Sequence, residues 1–432
     1  MQRHLQSSKF GGILIKAHEL EKSSLLLFVL MMVANVCNYL FQLVMGRMMI
    51  PSDYGTLNTL LSVFTVFSVS SNLFSSVTAQ ETAYYHTLGH DDHVRLVTGK
   101  LLRLAIGLSL AILVIGTALS PWIASLLQIK DSLLVSLTML LVALGGISPL
   151  FSGILQGFKR FTAFSFAGIL SALPKLVFGI LFVWLGWRTY GVLAALFVAS
   201  VATLLFCLYQ CRDFHFTKVD KRLQPHFERR PFYGYFISVM IVQLLNALIA
   251  NGDMLLVAAF SPTTNDTGIY ASGMVIGKIG MYAATAVVTA LFPLTAEASA
   301  RNDDPRPLFC KAILYGGGIV LLYSLGLNLF GRSIIRIMFG ESYMGVIPYL
   351  MPITLFVTAS TLLIIEMNYL IALKRTACYT ASVGVSCLFI VILVERFQPS
   401  VADMLLWMAV VLFVAFSINL VTILRNHQSV GA

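Results

Sequence analysis

Seven ionisable side chains stand within long apolar stretches of this sequence and are its candidates for chemistry. Lys175, Asp253, Lys278 and Glu366 lie deep in such stretches, and Arg47, Glu81 and Glu297 lie nearer their ends. Charge is costly in apolar surroundings, so these groups mark functional positions by default. Lys175 follows Pro174, where a kink could turn it inward, and Lys278 sits beside Gly273, Gly277 and Gly280. A lysine ammonium is a point-charge partner for phosphate. Two such lysines, one from each half of the chain, would form a cationic patch attractive to a pyrophosphate-bearing lipid, with Arg47 as a third substrate-binding candidate. The competing reading is that each lysine pairs with Asp253 or Glu366, or snorkels to an interface. Asp253 and Glu366 invite a second chemistry, ion coupling, because desolvation favours a neutral carboxyl that can carry a proton. A structural salt bridge is the alternative for both.

The elements that must hold these groups follow from composition. The 432 residues are 58% hydrophobic and 11% charged, with a mean hydropathy of +0.85. Soluble domains are near 25% charged, so the chain is an integral membrane protein. Apolar segments near the roughly 20 residues a span requires fall at about 24–46, 55–80, 101–127, 132–156, 162–186, 190–210, 232–260, 268–297, 308–331, 346–372, 376–395 and 401–424. The predicted fold is all-α, with about twelve transmembrane helices in two six-helix bundles, 24–210 and 232–424. Residues 1–23 form a polar, basic N-terminus with interfacial spacing, and 425–432 a short tail. The first apolar block is too long for a cleavable signal.

Residues 211–231 are the longest polar run, carrying Arg212, Lys218, Lys221, Arg222, Arg229 and Arg230. With both termini cytosolic, basic residues on the inner side outnumber those outside by about three to one, which places this connector inside as well. The net charge of +10 therefore reflects topology and contact with lipid headgroups rather than nucleic acid.

Two landmarks recur at nearly one offset. Asp53, in the turn that opens the second span and suited to cap it, precedes Asp266 at the eighth by 213 positions. Arg160 precedes Arg375 by 215. Six spans per repeat gives both halves one orientation, so a duplication implies pseudo-two-fold symmetry about the membrane normal.

Other patterns are weaker. His86-x3-His90-x2-His93 with Asp91 and Asp92 is interrupted by Gly89 and reads as a solvated loop, and Cys207-x3-Cys211-x3-His215 lacks a fourth ligand. No metal and no other cofactor is expected. The sequence holds no Walker loop and no nucleophile elbow, and every outer loop is short, so no catalytic residues are assigned.

Several stretches resemble the polysaccharide-export branch of the multidrug/oligosaccharidyl-lipid/polysaccharide (MOP) flippase superfamily, the Wzx-type oligosaccharide flippases. The carriers are GRMMIPSDYG (46–55), LQGFKRF (155–161), FSPTTNDTGIYASG (260–273), LFPLTAEASAR (291–301) and MFGESYMGVIPYL (338–350). The resemblance implies transfer of undecaprenyl-pyrophosphate-linked oligosaccharide from the inner to the outer leaflet of the cell inner membrane by alternating access. It further implies basic cavity residues, matched here by Arg47, Lys175 and Lys278, and partners among membrane lipids and glycan-assembly proteins such as a polymerase. A cation-coupled multidrug exporter of the same superfamily is the alternative.

Overall fold

The computed structural model describes residues 29–89, 91–212, 229–300, 304–373 and 375–425, which are helical, with turns and no strand among them. All-helical architecture is what an apolar solvent demands, because each backbone group then finds its partner within its own segment. Among the described residues ten helical stretches are long and apolar enough to cross a membrane. Two further stretches, 51–87 and 264–300, fill the places of the expected second and eighth spans. The expected N-terminal interfacial segment, most of the connector and the tail lie outside the described residues.

In chain order the helices are α1 (Val29–Met48), α2 (Pro51–Phe67), α3 (Val69–Thr87), α4 (Asp91–Ala118), α5 (Ser120–Leu126), α6 (Ser132–Gly145), α7 (Ser148–Gly157), α8 (Phe161–Trp184), α9 (Arg188–Gln210), α10 (Arg229–Phe260), α11 (Thr264–Ala300), α12 (Arg306–Ala312), α13 (Gly318–Met338), α14 (Leu350–Ala372), α15 (Ala377–Phe397) and α16 (Val401–Arg425). A π-helical turn, Ile313–Gly317, joins α12 to α13, and a 3-10 segment, Glu341–Tyr349, leads into α14. The expected second, third, fourth, ninth and tenth spans are thus interrupted rather than continuous. Pro149 fits the first turn of α7, where its missing amide is no loss. Past α8, Gly186 takes φ +88° while the Trp187 amide returns to Phe182 O at 3.0 Å, a glycine-dependent helix stop.

The chain divides into two compact units, one built from Met1–Met45, Ser70–Leu119 and Ser136–His226 and the other from Gly46–Val69, Ser120–Val135 and Phe227–Ala432. The division inside the second span coincides with the break between α2 and α3. In the first unit, α8 and α9 pack as a helical hairpin, and Ala34 and Cys37 of α1 bury against Ala172 of α8.

In the second unit α14 is the core helix. Its span is 83% buried, against 17–50% for the other apolar spans, and it packs on α10, α11, α13 and α16. Gly273 and Gly277 let α11 approach it closely, their faces meeting Val346 and Ile353, as small-residue spacing allows. Thr263 and Asp266 form a reciprocal cap at the start of α11: the Asp266 amide donates to Thr263 Oγ1 at 3.2 Å, which donates to Asp266 Oδ2 at 2.8 Å. Asp53 does not have the capping role expected of it. The N-cap of α2 is Ile50, without a side-chain cap, and Asp53 stands inside the first turn.

The two duplicated turns touch. A Cβ on Gly55 would meet the Gly268 backbone and Thr264 O, and one on Gly268 would meet Pro51 O. Gly55 and Gly268 differ by 213, as do Pro51 and Thr264, so the contact is reciprocal, as a local two-fold axis produces. Gln128 Nε2 donates to Ala259 O and Ser261 O at 2.9 and 3.0 Å, and Tyr343 OH donates to Met49 O at 3.2 Å.

Candidate functional site

Lys175 belongs to the first unit, and Arg47, Asp253, Lys278 and Glu366 to the second. Pro174 contributes no amide to α8, easing the helix at the position before Lys175. Asn38 and Phe41 are three apart on α1 and so share a face. Lys175 Nζ donates to Asn38 Oδ1 at 2.5 Å and lies 4.7 Å from the centroid of the Phe41 ring, a cation–π geometry. Neither neighbour is anionic. Among the described residues no carboxylate forms an ion pair with Lys175, so its nitrogen is held by a neutral amide and an aromatic face.

Lys278 is arranged differently. Its Nζ lies 3.7 Å from Asp253 Oδ1, with the lysine side chain 14% and the aspartate 0% exposed. Asp253 sits on α10, and its other oxygen accepts a hydrogen bond from Tyr270 OH on α11 at 2.7 Å. Oδ1 itself has no hydrogen bond. The lysine is therefore charge-matched, while one oxygen of its partner is held only by the loose ion pair.

Glu366 is fully buried on α14. Its Oε2 accepts from Asn419 Nδ2 of α16 at 3.2 Å, and Asn419 Oδ1 accepts from Ser382 Oγ of α15 at 2.8 Å. Cys378 Sγ lies 3.5 Å from the same Asn419 oxygen. Glu366 Oε1 and Tyr379 OH are buried without hydrogen-bond partners. No ion pair reaches Glu366 among the described residues. A carboxyl so placed suits the neutral state or a captured cation, since an unpaired buried charge is costly.

Arg47 lies at the end of α13. Nε donates to Met338 O at 3.1 Å and Nη2 to Ile337 O, placing a cation where the helix dipole is negative. The remaining guanidinium donors stay available to an anion. In the histidine-rich turn, His86 packs edge-on against Phe158 and His93 stacks on Tyr85, while His90 and His215 lie outside the described residues.

Sequence reasoning missed Asn38, Phe41, Tyr270, Asn419 and Tyr379. Asn38 and Asn419 were open to detection, as amides inside apolar spans that must find partners. Tyr270 was not, because nothing in the sequence says that it and Lys278, two helical turns apart, converge on one carboxylate.

The polysaccharide biosynthesis protein family matches residues 20–299. A comparison of the sequence with curated proteins gives no match. Among solved structures, an inward-facing multidrug resistance MATE family transporter of the MOP superfamily aligns with TM-score 0.74 at 16% identity, covering 91% of this chain and 94% of the other. An outward-facing structure of such a transporter aligns at 0.66 and 16% identity, over 93% and 94% of the two chains. A MOP superfamily transporter from Pyrococcus furiosus, described as having a binding pocket of reversed polarity that suggests a different function, aligns at 0.67 and 16%, also over 93% and 94%. The fold is that of these membrane transporters, and the multi-pass all-helical architecture expected from the sequence stands.

Proposed function

The chain belongs to the polysaccharide biosynthesis protein family, and from that premise we propose that it is a flippase moving undecaprenyl-pyrophosphate-linked oligosaccharide from the inner to the outer leaflet. The observation that carries this reading is Lys175, an ammonium in a membrane-spanning helix held by an amide and an aromatic face and matched by no carboxylate among the described residues. An ammonium there, paired with an arriving pyrophosphate, lowers the cost of bringing that anion into a low-dielectric region, and the anion in turn favours the charged lysine. Lys278 and Arg47 are the further anion ligands, and Asp253 and Glu366 the coupling carboxylates. The lipid tail stays in the bilayer while head and glycan cross, and no bond is made or broken. Both termini face the cytosol at the inner membrane, and the glycan product passes to an assembly partner such as a polymerase.

Leaflet transfer of a fluorescent undecaprenyl-pyrophosphate oligosaccharide in proteoliposomes tests the reading. Wild type should transfer it and Lys175→Ala should lose most of that rate, whereas the absence of transfer by wild type would sink the proposal. The second reading, a cation-coupled multidrug exporter, draws on the buried carboxylates Asp253 and Glu366 and on the fold of the MATE transporters. It calls for efflux of organic cations that survives Lys175→Ala, measured in the same vesicles.

A further inference from the structure

We propose that Asp253 is an exchangeable counter-ion of Lys278: the pair holds until a phosphate of the cargo takes the lysine, and Asp253 then takes up a proton. The proposal rests on the reading of the cargo as a pyrophosphate-linked lipid and goes beyond it, by making cargo binding and proton uptake one event at a named pair.

The geometry gives the two partners unequal freedom. Asp253 has no exposure and is anchored at Oδ2 by Tyr270 OH at 2.7 Å. Lys278 retains some exposure, and its contact with Oδ1, at 3.7 Å, is an ion pair beyond hydrogen-bond length. A lysine carries three donors on a flexible four-carbon stem, so the lysine is the partner able to turn away. Phosphate competes well for it, offering charge-assisted hydrogen bonds at shorter range. Once the lysine leaves, Asp253 is an unpaired buried anion, and such groups neutralise rather than persist.

The step balances. Lys278 ammonium with Asp253 carboxylate, plus a pyrophosphate diester anion and one proton given up by a buffer acid, gives Lys278 ammonium with phosphate, a neutral Asp253 carboxyl and the buffer's conjugate base. One bond to hydrogen breaks on the buffer and one O–H bond forms on Asp253, and the neutral carboxyl keeps Tyr270 OH as a hydrogen-bond partner.

The surrounding titratable groups leave this assignment in place. α10 packs against α2, α11, α14 and α15. Of their groups, Tyr54 of α2 is engaged in a ring cluster with Phe339 and Tyr343, with Asp53 one residue before it. Glu366 of α14 bonds to Asn419, Tyr369 stacks with Phe309, and α15 adds Tyr379, with Glu395 and Arg396 at its far end. On elements packed against α11, Arg306 pairs with Asp304 and Arg336 with Glu341, while Lys311 and Arg332 are exposed. Lys278 is the cation in ion-pair range of Asp253 among the described residues, and Tyr270 is the hydroxyl on it.

The test uses the full chain in nanodiscs with undecaprenyl-pyrophosphate N-acetylglucosamine, a diester without a titrating proton of its own near neutrality. Calorimetry in two buffers of different ionisation enthalpy counts protons taken up per binding event. Wild type should take up a proton, with affinity weakening by up to about tenfold per pH unit as pH rises through the range where uptake occurs. Asp253→Asn should bind without uptake and with a flat pH profile. Tyr270→Phe keeps both charges but removes a hydrogen bond that favours the carboxylate, so its affinity should hold to higher pH than wild type. This variant keeps the test decisive if Asp253→Asn fails to fold. Binding by wild type without proton uptake would overturn the exchange and leave the flippase reading intact, whereas no binding by wild type would overturn both.

Discussion

Replacing Gly268 by alanine should do more damage than any other glycine-to-alanine change in the second unit's crossing of α2 and α11. The added Cβ would lie 1.7 Å from Pro51 O and 2.4 Å from Pro51 C. Both are backbone atoms, so no side chain can rotate out of the way. To restore even a 3.0 Å contact, α2 must retreat by about 1.3 Å at its first turn. That turn leads directly into Tyr54, Leu57 and Leu60, all fully buried, and Tyr54 packs against Phe339 and Tyr343 with centroids 5.8 and 5.9 Å away. Overpacking of this kind costs about 1–3 kcal/mol, and a backbone obstacle puts Gly268→Ala near the upper end. Gly55→Ala, whose nearest clash is 2.6 Å from Gly268 N, should cost less. Gly252→Ala meets nothing within 4 Å and should be neutral or stabilising by up to about 1 kcal/mol, because alanine is the better helix former.

Membrane proteins commonly unfold irreversibly, so the assay is the rate of thermal inactivation in detergent, which follows the unfolding barrier. If the crossing forms late in folding, about 3 kcal/mol appears as roughly two orders of magnitude in that rate. The Gly55→Ala/Gly268→Ala double variant should cost less than the two single effects combined, since one retreat of α2 relieves both clashes. Gly268→Ala inactivating no faster than Gly252→Ala would refute the packing argument.

Three further outcomes are expected. Asn38→Leu takes from Lys175 the hydrogen-bond acceptor it has among the described residues, a charge-assisted bond of about 1.5 kcal/mol, and should slow leaflet transfer by about tenfold; an unchanged rate would show that Asn38 does not hold the lysine for the cargo. Glu366→Gln keeps the hydrogen bond from Asn419 but cannot exchange a proton, so it should preserve energetically downhill transfer while abolishing stimulation by an imposed proton gradient. Arg47→Ala removes the cation from the end of α13 and should destabilise by about 0.3–1 kcal/mol. Arg47→Lys should recover the charge effect but not the two-carbonyl contact, as read by inactivation rates of the three proteins.

Helical class and most of the spans were legible because they rest on hydropathy, a property of residues in order, with ten of the twelve expected spans long and apolar enough among the described residues. The interruptions were less so. Ser68 between α2 and α3 sits in a run with no strong breaker, whereas the three glycines Gly316, Gly317 and Gly318 at the π-turn before α13 mark a weak point without saying what form it takes. The charged residues were found by type, but their partners were not. A lysine in an apolar segment looks the same in sequence whether it meets Asn38 and Phe41 or a buried aspartate, and only the tertiary register separates those two outcomes.

That separation has a pattern, which the duplication exposes. At the offset of 213 the crossing residues correspond, Gly55 with Gly268, and they carry the close approach in both directions. The charged residues do not correspond. The same offset sets Arg47 against Phe260, Lys175 against Leu388, Lys278 against Thr65, Asp253 against Leu40 and Glu366 against Gly153. Backbone contact is thus kept symmetric while charge is not, and the asymmetry is consistent in sign. Both deep carboxylates are in the C-terminal repeat, where one of them matches Lys278, and the N-terminal repeat keeps Lys175 beside neutral groups. On the proposed reading a phosphate reaching Lys278 must first displace Asp253, whereas one reaching Lys175 displaces no carboxylate among the described residues. Lys175 is then expected to contribute affinity and the Lys278–Asp253 pair the linkage to protons. Lys175→Ala should accordingly weaken binding at every pH, while Asp253→Asn should change only how binding depends on pH.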